Sequence, residues 1–160
     1  MLFELLNSHQ IPYQRVDHPP VYTCEEARVL VPPIDGAETK NLFLRDEKGR
    51  RHFLVSVPAA KSVNLKQLGA VLEVKGLSFA SAERLKKFLG IEPGAVTLLA
   101  VVNDVDGHVE VVVDGELWRE ESILCHPLLN TSTLSLRRED LERFFEVVKH
   151  LPRVVDISGA

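Results

Sequence analysis

The stretch TKNLFLRDEKGRRHFLVSV, residues 39–57, decides the fold class. Two apolar runs, 41–45 and 52–57, flank Asp46-Glu47-Lys48-Gly49, a pattern that reads as a β-hairpin. The first strand opens on Lys40 and Asn41, set directly against Leu42, Phe43 and Leu44. A lysine so placed rests its stem on apolar surface while its ammonium faces a cleft. That suits binding of a carboxylate, phosphate or ester oxygen. The plainer alternative is a solvated lysine at a strand end. CHPLLNTSTLSL, residues 125–136, repeats the juxtaposition, because His126, Asn130 and Thr131 interrupt a leucine-rich run.

Outward from the hairpin, the elements are short and mixed. Leu2, Leu5 and Leu6 share a helical face that Pro12 ends, and 11–16 reads as a strand. Thr23, with Glu26 three residues on, predicts the N-cap of a brief helix. Residues 31–39 are a loop by their prolines and glycine. Helices are predicted over 64–68 and 82–89, the second stopped by Gly90. A second hairpin is predicted from 96–103 and 108–114 through Asp104-Val105-Asp106-Gly107, then a short turn or helix at Leu117 and Trp118. Strands follow at 123–125 and 131–136. Leu141, Phe144, Phe145 and Val148 mark a final helix with Ser135 as its expected cap. Glu139 and Asp140 fall near its positive end. Hairpins separated by helices indicate α+β, with a mixed, mostly antiparallel sheet flanked by helices. No repeat or linker divides the chain, so 1–160 reads as one domain.

Composition narrows the functional classes. With 45% apolar and 26% charged residues in 160, the chain is expected to bury a real core. No apolar run approaches the roughly 20 residues that span a bilayer. The N-terminus has neither the basic flank nor the cleavage site of a signal peptide, so a cytoplasmic protein with no membrane partner is expected. A net charge of −4 argues against nonspecific coating of nucleic acid, and DNA is not an expected partner. Two basic clusters, Arg45, Lys48, Arg50 and Arg51, and Arg84, Lys86 and Lys87, read as solvated surface or as a local basic face.

Cys24 and Cys125 lie too far apart for a zinc pattern and are too few for a disulfide scaffold; Cys125 reads as buried and inert. There is no GxxxxGK[ST] loop, no GxGxxG, no GxSxG elbow and no HExxH. No metal or cofactor is implied. From the residues alone, the chain offers a cleft without an evident activated nucleophile.

Five segments stand in a recognisable order: HPPVYTCEEA (18–27), TKNLFLRDEKGRRHFLVSV (39–57), LSFASAERLKKFLGIEPGAVT (77–97), VVNDVDGHVEVVVDGEL (101–117) and HPLLNTSTLSL (126–136). With the closing helix, they resemble the YbaK/prolyl-tRNA synthetase-associated domain family, and within it the free-standing alanyl-tRNA(Pro) deacylase branch. The resemblance implies a barrel-like sheet and a trans-editing hydrolase. Its substrate would be the ester of a wrong amino acid on the acceptor end of tRNA(Pro), and prolyl-tRNA synthetase would be a possible partner. A pocket built for a larger side chain rejects a smaller one by only about 1–3 kcal/mol, hence the need for a second sieve.

The resemblance also implies roles. Lys40 would hold the substrate's 3′ end or stabilise the developing oxyanion, where one donor is worth about 3–4 kcal/mol. Asn41 would orient the substrate, His126 would line the amino-acid pocket and select by size, and the backbone at Gly94 would contact the aminoacyl group. Asn130 and Thr131 would shape their loop. Water attack would be assisted by the tRNA's own ribose hydroxyl. The family's Gly-x-x-x-Pro loop reads here Gly94-Ala95-Val96-Thr97-Leu98, with leucine for proline, which puts substrate identity in question. Cys24 stands where an aliphatic residue is expected, a packing exchange. A cysteine-clearing deacylase, a noncatalytic module binding tRNA or a synthetase, and a small-molecule-binding domain are the alternatives.

Overall fold

A computed structural model describes residues 1–159, all side chains included except that of Cys24. The reading of Cys24 as a packing exchange therefore lies outside the described residues. The chain begins with α1 (Leu2–Ser8), β1 (Gln14–Asp17), α2 (Cys24–Leu30), β2 (Thr39–Arg45), β3 (His52–Pro58) and α3 (Leu65–Leu72). It continues through β4 (Ser78–Phe79), α4 (Ala82–Leu89) and two 3₁₀ segments, Pro93–Ala95 and Leu98–Asn103. It ends with β5 (Val109–Asp114), α5 (Gly115–Trp118), β6 (Ser122–Cys125), β7 (Ser132–Arg137), α6 (Arg138–Val147) and β8 (Arg153–Val155).

The fold is α+β, and the 39–57 stretch forms the predicted hairpin, with Thr39 opposite Pro58 and Arg45 opposite His52. The strands make two sheets that do not close into the expected barrel. One has five strands in the order β4-β2-β3-β5-β8, and the other has three, β1-β7-β6. The pairings β3–β5 and β5–β8 are parallel and the rest are antiparallel, so the sheet is mixed and mostly antiparallel.

Alternation along the central hairpin creates two cores. Phe43, Leu54, Val111 and Val113 face one core, which the three-stranded sheet, α1, α4 and α6 complete through residues such as Leu6, Leu89, Leu134, Phe144 and Phe145. Leu44, Phe53, Val55, Val57 and Val112 face the other, which α3 covers with Leu68 and Leu72. Six consecutive residues of β3, His52 to Val57, are therefore buried, as a strand covered on both faces requires.

Two predicted elements differ. Residues 96–103 do not form a hairpin strand. Leu98–Asn103 is a 3₁₀ helix capped by the Thr97 hydroxyl, which accepts from Leu99 N at 3.3 Å. Leu98, Leu99, Ala100, Val101 and Val102 are all buried, and an apolar run enclosed on every side carries no period that separates strand from helix. The turn at 104–107 does exist, held by Gly107 N to Asp104 O at 3.1 Å, but β5 beyond it pairs in parallel with β3 and β8.

Ser135 does not cap α6. It lies within β7 opposite Gln14, and its hydroxyl donates to Asp35 O. Arg137 occupies the N-cap without a side-chain bond, while Arg138 N donates to Glu121 O at 3.0 Å. A backbone acceptor thus replaces the hydroxyl. Among the described residues no helix is long and apolar enough to cross a membrane.

Candidate active site

The two sheets meet at the start of β2. Ala37 N donates to Ser122 O at 2.8 Å, Leu124 N to Ala37 O at 3.0 Å, and the Thr39 hydroxyl to Leu124 O at 3.0 Å. Gly36 permits this approach: a Cβ there would stand 2.6 Å from a Leu124 methyl, and its φ of +149° is a glycine conformation.

At this junction lies a cavity of about 80 Å³. Ala27 and Val31 come from α2 and its end, Glu38 and Thr39 from the start of β2, and Ala59 from the turn after β3. Leu124, Cys125 and His126 come from β6 and its exit, and Thr133 from β7. The α2 wall is fixed as predicted, because the Thr23 hydroxyl accepts from Glu26 N at 3.1 Å and the Glu26 carboxylate accepts from Tyr22 N at 3.2 Å.

The polar atoms of the lining are acceptors. Burial pushes the His126 pKa below its usual 6.5, against a smaller opposing effect from the Ser132 carbonyl and a further lowering by nearby His18. The neutral ring donates Nδ1–H to Ser132 O at 3.2 Å, which leaves an unprotonated Nε2. Behind Thr133, a neutral His18 ring donates Nδ1–H to Pro19 O at 2.9 Å, and its Nε2 then accepts the Thr133 hydroxyl at 2.8 Å. With its proton given to His18, the Thr133 oxygen offers lone pairs to the cavity. Glu38, an exposed residue of the lining, sets a negative charge at its edge. Such a lining suits an ammonium group beside a short apolar chain. Cys125, in the same wall, is no nucleophile here: burial pushes its thiol up to about 12.

The sequence candidates separate. His126 lines the cavity; Lys40, Asn41 and Gly94 do not. Lys40 emerges on the face of β2 shared with Leu42 and Leu44, and its ammonium donates to Lys61 O. Lys61 N closes the intervening turn on Pro58 O at 3.0 Å, so Ala59 of that turn stands at the cavity while Lys61 O holds the lysine. Asn41 shares the Thr39 face and donates weakly to the Thr39 hydroxyl at 3.5 Å. Its Oδ1 and the hydroxyl of Ser56, directly across the hairpin, are buried without a hydrogen-bond partner among the described residues.

Gly94 lies beneath Tyr22, where a Cβ would come within 2.9 Å of the ring. Asn130 holds that segment, its side chain donating to Val21 O at 3.1 Å and its carbonyl accepting from Val21 N at 3.2 Å. Leu98, the departure from the family loop, is 1% exposed in the main core and does not line the cavity. The two basic clusters meet, because Arg84 donates to Gly49 O at 3.1 Å and to His52 Nε2 at 3.0 Å. Arg51 is paired with Glu110. His18, Thr133 and Glu38 were missed as site residues. Only the HPP and NTST segments pointed towards the first two, and nothing in the sequence marked their contact across 115 positions.

Comparison with known proteins identifies the family. The model of the aminoacyl-tRNA editing domain matches residues 18–144. A prolyl-tRNA editing protein, ProX, of Acetoanaerobium sticklandii is 41% identical over 139 residues, covering 86% of this chain and 84% of its own. Prolyl-tRNA synthetase associated domain-containing protein 1 of Danio rerio is 36% identical over 98% of this chain and 86% of its own. A solved structure described as a proposed trans-editing enzyme for prolyl tRNA synthetase shares the fold, with a TM-score of 0.69 at 15% identity over 99% of this chain and 97% of its own. A hypothetical protein, APE2540, shares it at 0.76, with 18% identity over 98% of this chain and 97% of its own. Five motifs in order, a small acceptor-lined cavity where two sheets join, and a family match across most of the length lead to one conclusion: this chain belongs to the YbaK-like aminoacyl-tRNA editing domain family.

Proposed function

We propose that this protein is an aminoacyl-tRNA deacylase that hydrolyses alanine from mischarged tRNA(Pro), acting in the cytoplasm beside prolyl-tRNA synthetase. The observation that carries the reading is the cavity. Its lining of Ala27, Val31, Ala59 and Leu124 suits a short side chain, and His126 and Thr133 would offer acceptors, with Glu38 a negative charge, to an α-ammonium. The naming of the ProX relative as a prolyl-tRNA editing protein supports tRNA(Pro) as the carrier.

In this reading His126 works as a wall and acceptor. Its depressed pKa keeps the ring neutral at pH 7, so it does not repel the ammonium. Asn41 orients the ester from the Thr39 side, and the backbone around Gly94, beneath Tyr22, would contact the aminoacyl group. Lys40 must leave Lys61 O to reach an oxyanion, and its ammonium then stabilises the charge that develops as water attacks. In this reading the attacking water is assisted by the substrate's ribose hydroxyl, and Cys125, held protonated by burial, takes no part as a nucleophile.

The test is hydrolysis of Ala-, Cys- and Pro-tRNA(Pro) by the wild type, Lys40→Ala and His126→Ala. The wild type is expected to clear alanine and spare proline. Lys40→Ala is expected to lose about 100-fold or more in rate while still binding tRNA. His126→Ala, with a wider cavity, is expected to begin to accept proline. Clearance of cysteine in preference to alanine would move the assignment to the cysteine enzyme. A wild type that hydrolyses none of the three refutes deacylation.

A further inference from the structure

Tyr22 is 70% exposed, yet it is held in place. Val21 before it is 3% exposed and is bonded through both N–H and carbonyl to Asn130. Tyr22's own N–H is bonded to Glu26, and the Cδ1–Cε1 side of its ring lies over Gly94. Glycine lets the ring approach this closely, since a Cβ would stand 2.9 Å and 3.1 Å from those two ring carbons and push the ring aside. An exposed aromatic ring on a fixed backbone, supported from below by a residue without a side chain, has the form of a stacking platform.

Its position gives the platform an occupant. The segment that carries Tyr22 leads directly into α2, whose Ala27 and C-terminal neighbour Val31 line the cavity. Asn130, beside Gly94, lies three residues before Thr133 of the same cavity. A cavity of about 80 Å³ has room for an amino acid but not for the nucleoside that bears it. The nucleoside of a seated aminoacyl ester must lie on the rim, and Leu129, next to Asn130 in the chain, is a further exposed apolar residue at 55%. Every base offers a π face to an aromatic side chain, and such stacking is worth about 10-fold in affinity per base.

We propose that Tyr22, supported by Gly94, is the platform on which the 3′-terminal nucleobase of the RNA stacks while its aminoacyl group occupies the cavity. The inference rests on the deacylase reading, and its test is separable from it. Uncharged tRNA(Pro) carrying 2-aminopurine in place of the terminal adenine reports stacking by quenching of its fluorescence, with no need for hydrolysis. The wild type and Tyr22→Phe are expected to quench it, and Tyr22→Ala is not. With Ala-tRNA(Pro), Tyr22→Ala is expected to raise KM about 10-fold with kcat little changed, and Tyr22→Phe to restore it. Thermal melting of the variants controls for folding. Absence of quenching by the wild type, or equal quenching by wild type and Tyr22→Ala, overturns the platform. Failure of hydrolysis alongside intact, Tyr22-dependent quenching refutes the deacylase and leaves the platform standing.

Discussion

Thr133 shows how one hydroxyl can set the character of a cavity. Its proton goes to His18 Nε2 because His18 Nδ1–H is already committed to Pro19 O, so only lone pairs remain for a ligand. Thr133→Val keeps the shape and removes the oxygen. It also leaves the His18 nitrogen buried without a donor, which costs about 1–3 kcal/mol. Urea denaturation is expected to show that loss, with Thr133→Ser recovering most of it, and deacylation by Thr133→Val should fall as well. A valine variant as stable as the wild type would mean that His18 finds another donor. At this scale the sequence was partly legible. His126 announced itself by breaking an apolar run, and it does line the cavity. Lys40 announced itself in the same way, but strand alternation puts it on the opposite face of β2. The residue before a strand's first apolar position has a face set by register, and register is a property of the pairing, not of the local pattern.

Among the elements, the 3₁₀ helix Leu98–Asn103 resolves the departure from the family loop. Leu98 is its first residue, a position whose N–H has no partner in the helix and where proline is therefore well tolerated. Thr97 before it is extended, at φ −153° and ψ 151°, the conformation that a following proline demands. Leucine and the family's proline thus fit the same backbone. Leu98→Pro is expected to fold and retain deacylation, losing only about 1 kcal/mol of packing. Leu99→Pro is expected to lose about 3 kcal/mol or more, because Leu99 N is bonded to the Thr97 hydroxyl. Equal melting temperatures for the two would refute this account. The same segment explains the misread hairpin. Elements with one wet face, such as α4 and α6, were legible from their period and the 39–57 hairpin from the turn between its two apolar runs, whereas 98–102, dry all round and without such a turn inside it, was not. β8 gave no signal because three residues are too few to show alternation, and its pairing partner β5 lies about 40 positions away.

Across the whole molecule, one buried ionic cluster links the C-terminal segment to the proposed catalytic lysine. Lys61 Nζ donates to Asp114 at 2.6 Å, to Glu116 at 2.7 Å and to Ile157 O at 2.8 Å. Burial works against the ammonium, but the bonds to Asp114 and Glu116 outweigh it and hold its pKa above the usual lysine value. Asp114 in turn accepts from Glu116 N and Ile157 N, at 3.2 Å and 3.3 Å. The backbone carbonyl of the same Lys61 receives Lys40. The end of β3, the end of β5 and the chain beyond β8 are thereby gathered at the point from which Lys40 would depart towards substrate. Lys61→Met removes the cation and leaves the Asp114 carboxylate, 1% exposed, with backbone donors alone, a loss of about 3–5 kcal/mol. Hydrogen exchange is expected to show Ile157 and its neighbours losing protection, and Asp114→Asn in the Lys61→Met background is expected to recover part of the stability by removing the stranded charge. If Lys61→Met melts like the wild type, the cluster does not hold the C-terminal segment, and the position of Lys40 must be set by β2 and β3 alone.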